Sequence, residues 1–427
     1  VTTAQRPSSL WRHRDFMHLW GGQAVSEVGS QVTFIALPLL AVITLHATTF
    51  EAALLEAAGS AAFLLIALQA GSLVDRWRKK RIMVWSDLLR GVLLASVPVA
   101  HLAGILTLAQ LYVVALLISV LTVFFDVAYQ AYLPMLVADD QLVDGNAKIG
   151  GSQSFAQVAG PSVGGALVGA VGAAYAVAVD VVSFAVSAVL TGRVRDPEPA
   201  PEPRPAGARL RTEIRAGLAF VFGHRVLRKV LGCTATHNFF ANMTGALDVV
   251  FLVRVLGASG RTVGFVFALG ALGGLAGAAL ARRLATRVGT ARIVWVSVLV
   301  EAPFLFARPF AFSGWGVLLV SLTGAGMAAA SVVYNVAQVS YRQAVTPRHL
   351  LGRMTASARF VVWGVSPLGA VAGGALGTLL GIRTTLFIAA VGGSLSVLWV
   401  LASPLARVRD VADLPPELGG TAAVAAS

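Results

Sequence analysis

Charge is what this chain has least of. Only 12% of its 427 residues are Asp, Glu, Lys or Arg, whereas 57% are hydrophobic. A soluble chain of this length divides into domains with charged surfaces; these charges are too few to cover them. Cysteine is nearly absent. The single Cys233 excludes a disulfide within the chain and argues against a cysteine-based metal site. Its expected role is that of a small buried apolar residue. Lysine is scarce beside arginine, which fits a GC-rich bacterial gene. There is no Walker GxxxxGK[ST], no HExxH, and no nucleophile elbow is expected, so neither ATP hydrolysis nor hydrolase chemistry is indicated. Arg6, Arg12, His13 and Arg14 precede an apolar run too long for a signal peptide, so that run is expected to stay as a first span.

What the chain has in plenty is apolar runs of bilayer length. Twelve are expected, at about Leu19–Ile43, Ala52–Leu73, Ile82–Leu102, Leu106–Ala128, Gly150–Val171, Ala174–Leu190, Val230–Val253, Val263–Ala281, Ile293–Phe310, Trp315–Val339, Thr355–Leu380 and Thr384–Pro404. The class is therefore an all-α polytopic membrane protein. The net charge of +13 would suggest nucleic acid in a soluble protein. Here the bases gather in alternate loops, so no nucleic-acid partner is expected. The N-terminus, Arg76–Arg81, Arg193–Lys229, Arg282–Arg292, Arg342–Arg353 and Arg407–Arg409 share one side. Little beyond Arg254, Arg261, Arg308 and Arg383 lies on the other. That asymmetry puts both termini in the cytoplasm of a bacterial inner membrane.

The middle of the chain changes character. RVRDPEPAPEPRPAGA, from Arg193, is an extended Pro-rich linker. Leu210, Ile214, Leu218 and Val221 then repeat at helical spacing, as in an amphipathic helix on the inner leaflet. The expected divisions are a six-helix bundle over 1–192, the linker and amphipathic helix over 193–229, a second six-helix bundle over 230–405 and a tail over 406–427. The halves repeat weakly: QLVDGNAKIGG…VGGAL from Gln141 returns as LLGRMTASAR…AGGAL from Leu350. Two related six-helix halves around a cavity are a transporter architecture.

The stretch GSLVDRWRKKRIM, Gly71 to Met83, sits between spans 2 and 3. An isolated basic cluster is ordinarily just an inner-side loop, but that does not explain the order of its residues. Gly71, Leu73, Asp75, Arg76, Lys79 and Lys80 resemble the loop 2–3 signature of the major facilitator superfamily; Arg78 departs from it, where glycine is usual. Further resemblance lies in LWGGQAVSEVGSQVTFIALPLL from Leu19, FFDVAYQAYLPMLV from Phe124, GNAKIGGSQSFAQVAGPSVGGALV from Gly145 and DVVSF from Asp180. These are similar to the branch holding bacterial siderophore exporters and macrolide efflux pumps. The resemblance implies the major facilitator fold, two pseudo-symmetric six-helix bundles, and a gating role for Gly71, Asp75, Arg76, Lys79 and Lys80. Asp75 would hold helix 2 to the start of helix 11, near Met354 and Thr355. Gly160, Pro161, Gly164 and Gly165 match part of a helix 5 signature associated with antiporters; ordinary small-residue packing explains them equally well.

Ionisable residues inside spans are costly and are functional candidates by default. Glu27 lies near the middle of helix 1, beside Gln23, Ser26 and Gln31. A desolvated carboxyl there can take up and release a proton; the alternative is a structural acid bound to a neighbouring helix. Asp126 and Asp248 are the other proton-coupling candidates, with Asp126 rather expected to bridge to Arg76 or Lys79. The arginine that many proton-coupled relatives carry in helix 4 is absent from Val120 to Ala131. Asp87 and Arg90, three apart, are expected to pair, Asp180 to pack, and Glu301 to meet Arg308. Gln23, Gln31, Phe34 and Phe124, with His237, Asn238, Phe240, Asn242, Tyr334, Asn335, Gln338 and Trp363, are the candidate cavity set. Aromatic walls with a few amides suit a large amphipathic ligand.

The reading that follows is export of an amphipathic small molecule by a secondary transporter, monomeric and embedded in lipid. Its partners are protons and its cofactors none, the proton gradient being the energy source. An importer on the same fold stays open at this point. A non-transporting sensor or enzyme would need a soluble domain, and neither the linker nor the stretch after Ala402 offers one.

Overall fold

Apolar runs this long become helices because hydrocarbon offers no partner for backbone N–H and C=O groups. The computed structural model describes residues 10–74, 76–138, 141–195, 198, 218–346 and 350–414. Among them twelve helical segments are long and apolar enough to cross a membrane. They are α1 (Arg14–Leu39), α2 (Thr49–Val74), α3 (Lys79–Leu102), α4 (Leu108–Leu136) and α5 (Leu142–Val171). Next come α6 (Ala173–Ala176, then Ala178–Gly192), α7 (Arg225–Val250), α8 (Gly260–Val288) and α9 (Arg292–Ala307). The last three are α10 (Gly316–Val345), α11 (Leu351–Gly364, then Ser366–Leu379) and α12 (Ile382–Leu395, then Val397–Leu401).

Several helices begin earlier than the apolar runs. The largest difference is α5, expected from Gly150 and found from Leu142. Its polar first turns are held by the core of the first half: a side chain at Gly145 would touch Phe16 and Leu10, and Leu142 packs on the cluster that contains them. The amphipathic repeat expected over Leu210 to Val221 lies outside the described residues but for its last turn.

Two packing units emerge. One draws on Val1–His46, Gln69–Ala206 and Ser259–Ala268, the other on Ala47–Leu68, Gly207–Ala258 and Leu269–Ser427. In the first, Phe16, Leu19, Met83, Phe125 and Tyr132 form the core. In the second, Val226, Val230, Tyr334, Tyr341, Val400 and Leu405 do so. Lipid tails are as apolar as leucine, so such clusters gain little from burial alone. Close backbone approach and buried polar pairs carry more of the helix association.

The weak internal repeat seen in the sequence is much clearer in local geometry. His13 accepts from Phe16 N and caps α1; His224 accepts from Leu227 N and caps α7, both at 3.1 Å. Each of these helices ends in a π-helical turn, Leu40–Thr44 and Phe251–Val255. Entry to α6 and α12 is through Gly172 and Gly381, with φ of 87° and 85°, values that only glycine adopts without strain. Pro98 lies inside α3 and Pro303 inside α9.

Candidate functional site

The basic loop between α2 and α3 is the first place where chemistry gathers. Asp75 lies outside the described residues, and Gly71 falls in the last turn of α2. The two lysines are engaged. Glu198, from the linker after α6, accepts from the backbone N of Lys79 at 2.7 Å and of Lys80 at 3.3 Å. Its carboxylate also lies 3.7 Å from Lys79 Nζ. A carboxylate on the exposed amides of a helix N-terminus is favoured by the helix dipole. Lys80 Nζ donates to Val194 O at 2.5 Å, and Arg195 N donates to Asp15 at 3.1 Å. The start of the linker is thus fastened to the signature loop. Lys79, one of the two bases expected to reach Asp126, is taken by Glu198. Sequence reasoning passed over Glu198 because it sits in a Pro-rich tract with no periodic signal.

The second unit repeats this clamp. Asp410, after α12, accepts from Thr290 N at 2.8 Å and Thr290 Oγ1 at 3.1 Å, just before α9. Arg409 O accepts from Ala291 N at 3.0 Å and Arg292 N at 3.3 Å. In both halves, the segment leaving the sixth helix ties down the start of the third. The Thr290 amide, then its hydroxyl, hold the Asp410 carboxyl below its ordinary value. Because the folded value is depressed, the clamp is complete above the unfolded aspartate range. It is lost as pH falls through the folded value, below about pH 4. Amide exchange at Thr290, corrected for its intrinsic rate, should therefore quicken below that point, and Asp410→Asn should remove the step. Equal steps in both proteins would take Asp410 out of the clamp.

Inside the spans of the first unit, charge converges on Arg90. Its guanidinium donates to Asp87 and to Thr122 Oγ1 at 3.3 Å. It lies 4.5 Å from the ring centroids of both Phe125 and Phe184. Asp87 is 0% exposed and Arg90 5%, so the expected pair forms in a dry site. Thr122 and Phe125 belong to α4. Arg90 thus reaches α4 from α3, a contact no linear motif could reveal. Glu27 accepts from Gln23 Nε2 at 3.3 Å, and Asp126 and Arg90 are charges that act on it. Asp180 accepts from Thr33 at 2.6 Å and Ser183 at 2.7 Å, the hydrogen-bonded packing role expected of it. Phe34 meets Phe267 edge to face at 5.9 Å.

The second unit has its own buried charges. Arg308 Nη2 lies 2.6 Å from Asp248 Oδ1, and His237 Nε2 lies 3.7 Å from Glu301 Oε2. This corrects the expectation that Glu301 meets Arg308. The α-helical path of α9 stops at Ala307, and a 3-10 turn over Arg308–Phe310 turns the arginine to α7. Glu56, half-buried on α2, also feels the Asp248 charge. It was missed in the sequence, although an acid inside an apolar run is itself the signal. Tyr334 Oη is 2.6 Å from Thr234 Oγ1, with the His237 ring centroid 6.1 Å from its own. Gln338 donates to Asn335 at 2.8 Å. Asn238 donates to Val362 O at 3.0 Å and Asn242 to Asn238 O at 2.8 Å. Trp363 lies on Phe63, centroids 5.3 Å apart, and Phe240 lies against Gly392 of α12.

The helix 5 signature faces α1 and the start of α8. A Cβ on Gly160 would strike the Gln31 side chain; one on Gly164 would come 3.1 Å from Val32 Cα; one on Gly165 would come 2.7 Å from Gly264 Cα. The letters Gly160 to Gly164 also spell GxSxG. They lie within a continuous helix, with Ser162 exposed, and not at the strand-to-helix turn a nucleophile elbow requires.

Comparison with known proteins agrees with this architecture. The sequence matches the family model described as transmembrane secretion effector over residues 6–418. It is 25% identical over 398 residues to the multidrug efflux pump Tap of Mycolicibacterium fortuitum, covering 90% of this chain and 93% of that protein. It is 26% identical over 216 residues to macrolide efflux protein A of Streptococcus pyogenes, covering 48% and 50%. A solved bacterial homologue of the iron transporter ferroportin, in an inward-facing state, has a TM-score of 0.73 at 15% identity, covering 92% of this chain and 99% of that one. At that identity the likeness concerns the fold alone.

Proposed function

We propose that this chain, which belongs to the transmembrane secretion effector family of the major facilitator superfamily, exports amphipathic small molecules from a bacterial cytoplasm by proton antiport. The observation that carries the export reading is the family match over nearly the whole chain, joined to relatives named as multidrug and macrolide efflux pumps. The antiport reading rests on the acids of the first unit. Glu27, Asp87 and Asp180 share, among the described residues, the Arg90 guanidinium as the base that acts on all three. An excess of carboxyls in a low-dielectric site is relieved by a proton or by a cationic ligand. Competition between the two for the same charge is the simplest form of antiport. Alternating access follows from rocking the two related halves, with the α5 glycines permitting close helix approach as they move. The energy source is the proton gradient, with no cofactor.

Expressed in a drug-sensitive bacterium, the protein should lower the steady-state accumulation of at least one lipophilic compound. An uncoupler that leaves ATP intact should restore accumulation to that of control cells. Export that persists without the gradient would sink the antiport mechanism, and no change across a broad panel would sink export.

A further inference from the structure

A cavity of about 680 Å³ opens at the basic end of α3 in the first unit, a size typical of small-molecule sites, which run from about 300 to 1,000 Å³. Its rim carries Arg76, Arg78 and Arg81. Lys79 and Lys80 of the same loop are held by Glu198 and Val194. The three arginines are exposed, and none of their guanidinium groups makes an ion pair or hydrogen bond with a described residue. Trp77 and Trp85 flank the rim, 57% and 62% exposed. The deeper wall is apolar, built from Leu89 of α3 with Leu121 and Phe124 of α4. Leu89 lies about 12 Å along α3 from Arg81 at 1.5 Å per residue, well towards the hydrocarbon.

We infer that this cavity is a binding site for an anionic phospholipid of the adjoining leaflet, with phosphate across the arginines and an acyl chain along the wall. A positive loop alone needs no such site, because bases collect there for topological reasons. Topology does not account for a cavity whose charge and apolarity are arranged end to end. Guanidinium groups match phosphate oxygens two at a time. Tryptophan settles at the headgroup level, and basic pockets between spanning helices hold anionic headgroups. Phe124, read from the sequence as a candidate cavity residue, lines this wall.

The test is native mass spectrometry of the delipidated full chain, titrated with phosphatidylglycerol, phosphatidylcholine or inorganic phosphate. Wild type should retain phosphatidylglycerol in preference to phosphatidylcholine, and millimolar phosphate should not displace it. Arg76→Gln/Arg78→Gln/Arg81→Gln should weaken that retention roughly 100-fold, from about a factor of five per charge. The triple Arg→Lys variant should keep most of it, and Arg282→Gln/Arg283→Gln, on the other unit, should leave it unchanged. Should the triple Gln variant not fold, Arg81→Gln alone should still lower retention about fivefold. Equal retention of the two lipids, or of phosphatidylglycerol by wild type and the Gln variants, would overturn the site. Displacement by free phosphate would make it an anion site and overturn the lipid. Equal loss in Arg282→Gln/Arg283→Gln would reduce it to net charge.

Discussion

Asp87→Ala should be the most destabilising single change in the first unit, costing about 3–5 kcal/mol. The substitution removes little volume. Its effect comes from depriving the Arg90 guanidinium, 5% exposed, of its hydrogen-bonded carboxylate; the Thr122 hydroxyl and two aromatic faces still touch it, while Glu27 and Asp180 act on it without a direct bond. Those rings already stabilise the cation in the wild type, by about 2 kcal/mol or more when it is desolvated, so they add nothing once the carboxylate is gone. The reciprocal change, Arg90→Met, leaves Asp87 as the uncompensated charge and should cost a similar amount. Asp87→Ala/Arg90→Met removes both charges and fills the space between Phe125 and Phe184. The double variant should therefore be far less destabilised than the sum of the two. Thermal unfolding of the detergent-solubilised chain, followed by tryptophan fluorescence, would measure all three. Additive losses would mean that the pair is not a unit, and that Arg90 is held mainly by its rings.

Most of the fold was legible because the membrane imposes it. Hydrocarbon forces helix wherever an apolar run reaches bilayer length, so the twelve spans could be counted from composition along the chain. Boundaries were less legible. At α5, the residues Leu142 to Ile149 look like a polar loop, and only their packing against Phe16 and Leu10 makes them helical. Of the charged residues, Asp87 and Arg90 could be paired because three residues of helix place them on one face. Asp248 with Arg308, His237 with Glu301 and Glu198 with the start of α3 could not. Each joins positions far apart in sequence, and the repeat carries only the last of them, as Asp410 on Thr290, with different letters. Glu301 was misassigned for a local reason, since the 3-10 turn that redirects Arg308 has no distinctive residues beyond Pro309. The repeat itself was understated by the sequence. Glycine hinges, histidine caps and the clamp at the third helix recur in geometry where the letters have diverged.

Glu27→Gln should abolish concentrative transport while leaving the ligand bound. The exchange keeps the side chain's length and its carbonyl oxygen, so Gln23 can still donate to it as it does at 3.3 Å in the wild type. What disappears is a carboxylate charge lying near Asp126 and Arg90. If Glu27 cycles between protonated and ionised forms, the amide fixes the first of them. Affinity for a neutral amphipathic compound in detergent should then stay within about a factor of five, or 1 kcal/mol. Counterflow down a ligand gradient should persist, because it needs no net proton movement. Uptake into inverted vesicles against a ligand gradient, driven by an imposed pH difference, should fall to the level of vesicles with no pH difference. Wild-type rates of gradient-driven uptake would make Glu27 a structural acid. The proton would then have to travel through Asp126, or through the Glu56, Asp248 and Arg308 group of the second unit. The two are told apart by repeating the assay with Asp126→Asn and Glu56→Gln. Loss of binding as well as transport in Glu27→Gln would give the carboxylate a different role, as the counter-charge of a cationic substrate.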